Sequence, residues 1–310
     1  MEQSGDARTL SIEEVIDRLC DFDTMHHVCP ERRTEGEPLL SNTSVRRIVR
    51  LANGLMFPGF FDDVVESSSV LRSRMTIDSH ELLNLLIHQI TAAFIFADND
   101  CDRSLGSVHH KAVKAASKFV ASLPELRRKL DTDIDATYLG DPAATSTHEV
   151  ILCYPGVRAT MSYRIAHELV TLGVPILPRM IAEQAHSDTG IDIHPDATIG
   201  EAFVIDHGTG VVIGATSIIG HNVKIYQGVT LGAKSFEKDA NNNPVKGVAR
   251  HPIVGDNVVI YSNSTILGRV TIGSGAVIGG NLWVTRDVEP GERLIQANPE
   301  NFRSLTKNKA

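Results

Sequence analysis

The chain is poor in the features that mark secreted, membrane-spanning or nucleic-acid-binding proteins. It holds four cysteines in 310 residues, Cys20, Cys29, Cys101 and Cys153, with no CxxC pair and no metal-like spacing. Such scatter excludes a disulfide framework and predicts reduced thiols in a cytosolic protein. The opening MEQSGDARTLSIEEV is polar and acidic, without the apolar centre of a signal peptide. The longest apolar run, Leu82 to Ala97, is interrupted by Asn84, His88 and Gln89, so it suits a buried helix better than a membrane span. Positive charge is short too. The net charge is -8, whereas phosphate backbones and anionic membranes need a basic footprint. These absences predict a soluble, cytoplasmic protein with neither nucleic acid nor membrane as a partner.

What is present is an internal period. From Ile193 onward aliphatic residues recur every six positions as Ile193, Ile199, Ile205, then Ile213, Ile219, Ile225, Leu231, then Val254, Ile260, Ile266, Ile272, Ile278 and Val284. A period of six fits neither a helix face nor a two-residue strand alternation. It fits a left-handed parallel β-helix, in which each hexapeptide supplies one short strand and one corner and the aliphatic residues stack inward. Glycine often follows the aliphatic residue, as at Gly200, Gly214, Gly220, Gly273 and Gly279, and is expected there to let the corner turn tightly. Two interruptions leave the repeat: Asp206-His207-Gly208-Thr209-Gly210, and the stretch Gly232 to Ile253, whose centre, Asp239 to Pro244, is rich in turn formers. Loops thrown out of a rigid solenoid are favoured places for function.

The first half has helical periodicity instead. Candidate helices are Ile12 to Leu19, Ser44 to Leu55, His80 to Ala97, Val108 to Leu123 and Glu125 to Tyr138, the last two separated by Pro124. Gly156 to Leu172 reads as another amphipathic helix, and Pro175 and Pro178 open one running to His186. The expected fold class is α+β multidomain, a helical N-terminal domain feeding a β-helix. The expected boundaries are 1–190 for the helical domain, 191–290 for the β-helix and 291–310 for a C-terminal tail. A prism with three flat faces packs naturally around a three-fold axis, so a homotrimer or a dimer of trimers is expected.

Polar residues gather at the breaks in the coil. Asp192 and His194 flank Ile193, Asp206 and His207 follow Ile205, and Arg250 and His251 close the long loop. A carboxylate beside an imidazole is the usual arrangement of a general base. Asp192 and His207 are fifteen residues apart, which places them on adjacent coils. A metal site is the rival reading, because the same fold hosts trimeric zinc hydratases. His194, His207, His221 and His251 lie thirteen, fourteen and thirty residues apart without a close pair, so no metal is expected.

Asp192-Ile193-His194-Pro195, Ile205-Asp206-His207-Gly208-Thr209-Gly210, Gln227-Gly228-Val229-Thr230-Leu231-Gly232 and Arg250-His251-Pro252, in this order, closely resemble the serine O-acetyltransferases. Gly140-Asp141-Pro142-Ala143 and Tyr163-Arg164-Ile165-Ala166-His167 resemble that family's approach to the β-helix. The likeness runs from Asp141 to Thr285; over residues 1 to 125 it rests on helical character alone. It implies acetyl transfer from acetyl-CoA to the L-serine hydroxyl, the first step of cysteine biosynthesis from serine, with homoserine or a sugar as the alternative acceptor. By this resemblance His207 is the general base and Asp192 its carboxylate partner. Asp141, Asp206 and Arg250 hold serine, and His251 lies beside the same pocket. Acetyl-CoA runs past Ala233, Ser262, Asn263, Gly279 and Gly280. L-Cysteine is the expected inhibitor. Many relatives end in an isoleucine that enters cysteine synthase; here the sequence ends Thr306-Lys307-Asn308-Lys309-Ala310, so no stable complex through that end is expected. No sequence feature identifies donors for the oxyanion.

Overall fold

The computed structural model describes residues 11–21, 38–61, 67–97, 104–235 and 238–296. The expectations for Cys29, Cys101 and the last residues, Thr306 to Ala310, lie outside them. Seven helices are present among the described residues: α1 (Ile12–Leu19), α2 (Asn42–Met56), α3 (Ser68–Ala97), α4 (Leu105–Gly140), α5 (Thr147–Cys153), α6 (Pro155–Thr171) and α7 (Leu177–Thr189).

Three of these depart from the sequence expectation. α3 begins at Ser68, well before His80, and in this added stretch the hydroxyls of Ser73, Thr76 and Ser79 return to the carbonyls of Ser69, Arg72 and Met75. Met75 in this stretch packs against the helical core, an apolar contact too sparse to show as a helical period. α3 is long and apolar enough to cross a membrane by length and composition, yet Leu82, Leu86 and Ile90 are buried in the core it shares with α2 and α4. α4 runs unbroken through Pro124, where two helices were expected. Phe119, Leu123, Leu126 and Leu130 form one buried stripe across the proline. Burying four such side chains at ~1.5–3 kcal/mol each outweighs a helical proline's cost of ~3 kcal/mol. α5 was missed, although Ser146 and Glu149 spell its N-cap and the Ser146 side chain accepts the Glu149 N–H at 3.2 Å.

After α7 the chain winds into a parallel solenoid. Its first sheet takes β1 (Asp192–Ile193), β4 (Val212–Ile213), β7 (Thr230–Gly232), β10 (Thr265–Leu267) and β13 (Trp283–Val284); the second has four strands. The third contains β3 (Val204–Asp206), β6 (Lys224–Tyr226), β9 (Val259–Ile260), β12 (Val277–Ile278) and β14 (Arg293–Leu294). All thirteen aliphatic residues of the six-residue series are buried, and Ile213, Leu231 and Ile266 stack in register through β4, β7 and β10. Both interruptions are absorbed without loss of register: Thr230 pairs with Thr265 across the long loop. That loop carries its own tight turn, in which the Asp239 carboxylate accepts from the N–H groups of Asn241 and Asn243. The solenoid also continues beyond residue 290, since Arg293–Leu294 pairs with Val277–Ile278.

The reason for the glycines differs from the expectation. Left-handed corners are taken by asparagines such as Asn222, Asn257, Asn263 and Asn281. Gly214 is needed for closeness, because a Cβ there would stand 2.0 Å from the His251 ring.

The helices and the solenoid are joined by packing and by charge. Ala159 and Tyr163 of α6 enter the solenoid core. A Cβ on Gly156 would lie 2.1 Å from the Ile205 carbonyl oxygen, so only glycine lets α6 approach β3. Arg164 (α6) and Asp133 (α4) form an ion pair at 2.6 Å, with side chains 5% and 1% exposed. The pair is fully used: Arg164 also donates to the Gly200 carbonyl at 2.8 Å, and Asp133 accepts the Phe203 N–H at 2.9 Å. Unsatisfied, either charge would be costly to bury.

Candidate active site

The polar residues of the breaks collect at the two edges of the first sheet. One edge is the corner between the third sheet and the first. There Asp206 ends β3, and His207 follows with φ 57°, a left-handed conformation that swings its ring clear of the coil. The His207 side chain is 76% exposed, and its Nε2 lies 3.9 Å from Asp206 Oδ1. Asp206 Oδ2 takes the Lys224 ammonium at 2.9 Å, and Lys224 also donates to the Gly140 carbonyl at 2.9 Å. Lys224 therefore ties β3 to the end of α4, where a cation suits the helix C-terminus. Burial pushes the Lys224 ammonium down, but its bonds to Asp206 and Tyr226 outweigh that and raise it overall. Asp141 caps α4. Tyr154 donates to its Oδ2 at 2.7 Å and the Ala143 N–H to its Oδ1 at 2.8 Å. These two bonds, Tyr154's first, hold the Asp141 carboxyl below its usual range, and the same contact pushes Tyr154 up to about 12.

The opposite edge, between the first and second sheets, is cationic, with His251 buried, Arg250 half-buried and Arg269 exposed. His251 packs over Gly214, its Nδ1 accepting the Thr216 N–H at 3.0 Å. Arg269 donates to the His251 carbonyl at 3.0 Å and also to the Thr216 carbonyl. Arg250 and His251 both send their N–H groups to the Thr216 hydroxyl, at 2.9 and 3.1 Å. Burial, then the charges of Arg250, His194 and Arg269, push the His251 imidazole down to about 4. His194 is also lowered, chiefly by burial. His194 Nδ1 accepts the Asp196 N–H at 3.2 Å, and His221 Nδ1 accepts the Glu201 N–H at 3.1 Å, so both rings hold main chain.

Asp141, Asp206 and His207 thus come together at the first edge, and Arg250 and His251 at the second. Asp192, at the start of β1, is partly exposed beside His194. Among the described residues no hydrogen bond or ion pair joins it to His207 within the chain. Ser262, Asn263, Gly279 and Gly280 line the first edge in adjacent coils, where the Asn281 N–H reaches the Ser262 carbonyl at 2.9 Å. Ala233 stands at the second edge, just after β7. Lys224, Tyr154, Thr216 and Arg269 were missed in the sequence. Register alone could have found Lys224, which precedes the inward Ile225 and lies beside Val204, within a side chain's reach of Asp206. Nothing local marks Tyr154. Among the described residues no group of three or more His, Cys, Asp or Glu side chains could hold a metal ion.

A solenoid of hexapeptide rungs with a carboxylate-flanked imidazole at one edge and a guanidinium at the other defines a hexapeptide-repeat transferase. The bacterial transferase hexapeptide family (six repeats) matches residues 251–286. The chain is 42% identical to the plasmid serine acetyltransferase of Synechococcus elongatus, over 96% of this chain and 95% of that one. It is 45% identical to the serine acetyltransferase of Bacillus subtilis over 57% of this chain and 82% of that one. The native serine acetyltransferase 1 of Entamoeba histolytica superposes with a TM-score of 0.69 at 35% identity, covering 85% of this chain and 90% of that one. The same Entamoeba enzyme in complex with L-cysteine gives a TM-score of 0.69 at 32% identity, over 88% of this chain and 94% of that one. The chain belongs to the serine acetyltransferase family. It is an acyltransferase that acetylates the serine hydroxyl; the family implies acetyl-CoA as co-substrate and a place in cysteine biosynthesis.

Proposed function

We propose that the two edges are the two halves of one serine O-acetyltransferase site and that the site is completed between copies of the chain. The observation that carries this reading is the separation itself. Asp141, Asp206 and His207 stand on one edge of a single sheet, and Arg250 and His251 on the other. Edge-to-edge contact is a heterologous interface that closes into a ring, which favours a trimer. Exposed Val212 and Trp283 on the outer face of the first sheet give such a contact apolar surface.

In this site Asp141 and Asp206 take the serine ammonium, and Arg250 takes the carboxylate in a charge-assisted fork. A serine hydroxyl is too weak an acid to attack a thioester unaided. His207 removes its proton as the new C–O bond forms, and Asp192 supports the resulting imidazolium once substrate closes the site. The adduct collapses, the carbon–sulfur bond breaks, and His207 returns the proton to the departing thiolate. Acetyl-CoA lies along the groove past Ser262, Asn263, Gly279 and Gly280 and reaches Ala233 from the facing edge. Free L-cysteine, one atom different from serine, competes for the serine position. The helical part, 1–190, presents Asp141 to the solenoid of 191–290.

Complementation tests the reading. A chain with His207→Ala and a chain with Arg250→Ala are each expected to be nearly inactive in CoA release from acetyl-CoA with L-serine. Refolded together, they form mixed rings in which some interfaces pair two intact edges, so activity returns. No recovery in demonstrably mixed oligomers would sink the shared site. Homoserine and amino sugars as acceptors check the alternative transfers.

A further inference from the structure

His251 is held from one side of its ring. The Thr216 N–H donates to Nδ1 at 3.0 Å, and the Thr216 hydroxyl lies 2.8 Å from the same nitrogen. That hydroxyl oxygen already accepts the N–H groups of Arg250 and His251. With both lone pairs engaged, its own proton turns toward Nδ1. Nδ1 is then an acceptor on two counts, and the neutral ring must carry its proton on Nε2. The face of the ring packs on Gly214, where a Cβ would stand 2.0 Å from Cδ2 and 2.2 Å from Nε2, and no acceptor within the chain takes the Nε2 proton among the described residues. Burial, then the charges of Arg250, His194 and Arg269, disfavour a second proton on the ring.

We propose that Thr216 is a positioning residue of the serine site: it fixes His251 as a neutral Nε2–H donor and, through the same oxygen, holds the main chain of Arg250. The two histidines then divide the work. His207 moves the proton; His251 only donates a hydrogen bond to a substrate oxygen. One threonine sets the carboxylate-binding arginine and that donor at a constant separation. This inference rests on the reading of the Arg250–His251 edge as a serine-binding half-site.

Two substitutions separate hydroxyl from shape. Thr216→Val keeps the volume and loses the hydroxyl; Thr216→Ser keeps the hydroxyl and loses a methyl. In the full-length enzyme Thr216→Val is expected to lower kcat/KM for serine by roughly tenfold or more, with the KM for acetyl-CoA within about twofold of wild type. Thr216→Ser is expected to stay within about threefold on both. The opposite order, valine mild and serine severe, would mean that Thr216 only fills space, and would overturn the proposal. Nitrogen-15 spectra of the wild-type enzyme provide a check that survives a misfolded variant: His251 should show a protonated Nε2, and a protonated Nδ1 would also overturn it. His251→Ala is the control. If it leaves serine turnover unchanged, the half-site reading fails; if it lowers turnover and Thr216→Val does not, only the role of Thr216 fails.

Discussion

Asp206-His207 and Arg250-His251 are both a charged residue followed by a histidine at a break in the coil, yet the fold treats them in opposite ways. His207 projects on a left-handed residue and is 76% exposed, with a carboxylate as its nearest charge. His251 is 7% exposed among two arginines and a second histidine, and burial and those charges push its imidazole down to about 4. In the proposed site the first takes and returns a proton, and the second keeps the one it has. Residue type does not assign these roles. The sign of the neighbouring charge and the access of water do.

The comparison breaks most directly at His207. His207→Ala should lose ~10²–10⁴ in turnover while the protein stays folded; a steady-state assay that found more than half the wild-type rate would end its role as base. Asp192→Asn should cost less, because the base survives and only its support is lost.

The open edge stands on a solenoid that the Arg164–Asp133 pair ties to the helices, and removing that tie has the next largest effect. Asp133→Ala leaves Arg164 buried without its partner, so thermal or denaturant unfolding should show a loss of ~3–5 kcal/mol. An unchanged midpoint would mean that the helices and solenoid are held by apolar packing alone.

Arg250→Ala is expected to raise the KM for serine by roughly tenfold or more, the loss of a charge-assisted pair at ~1.5–3 kcal/mol, and to leave that for acetyl-CoA nearly unchanged. Equal losses for both substrates would remove Arg250 from the carboxylate.

The smallest effect concerns pH. The fold lowers the His251 imidazole from its ordinary 6.5 to about 4. As pH falls, the unfolded chain therefore takes up this proton first. The stability the neutral ring contributes is complete above about pH 6.5 and is lost progressively down to about pH 4. His251→Gln should flatten the pH dependence of unfolding in that window. An identical slope in wild type and variant would show that other groups carry it.

How much of this was legible varies along the chain. The thirteen aliphatic residues from Ile193 to Val284 specified the solenoid and its inward face, because a six-residue period has one way of burying every member. α1 was read to the residue from Ile12 to Leu19, and α2, α6 and α7 to within a few. Pro124 misled because its local cost is set against a buried stripe that only the neighbouring helices create. The candidate residues at the coil breaks were visible as types and spacings. Their grouping into an acidic, open edge and a cationic, closed edge was not.

The sequence alone determined the two architectures, their order, and the positions where polar chemistry could leave the coil, since each is encoded by a short period or its interruption. Tertiary structure decided which groups answer one another. Lys224 reaches Gly140 across 84 residues, Arg250 meets Thr216 across 34, and Arg164 finds Asp133 across 31. No local period encodes such pairs. They form because stacking the coils and docking α4 and α6 against them bring distant side chains into one low-dielectric space, where an unpaired charge is costly.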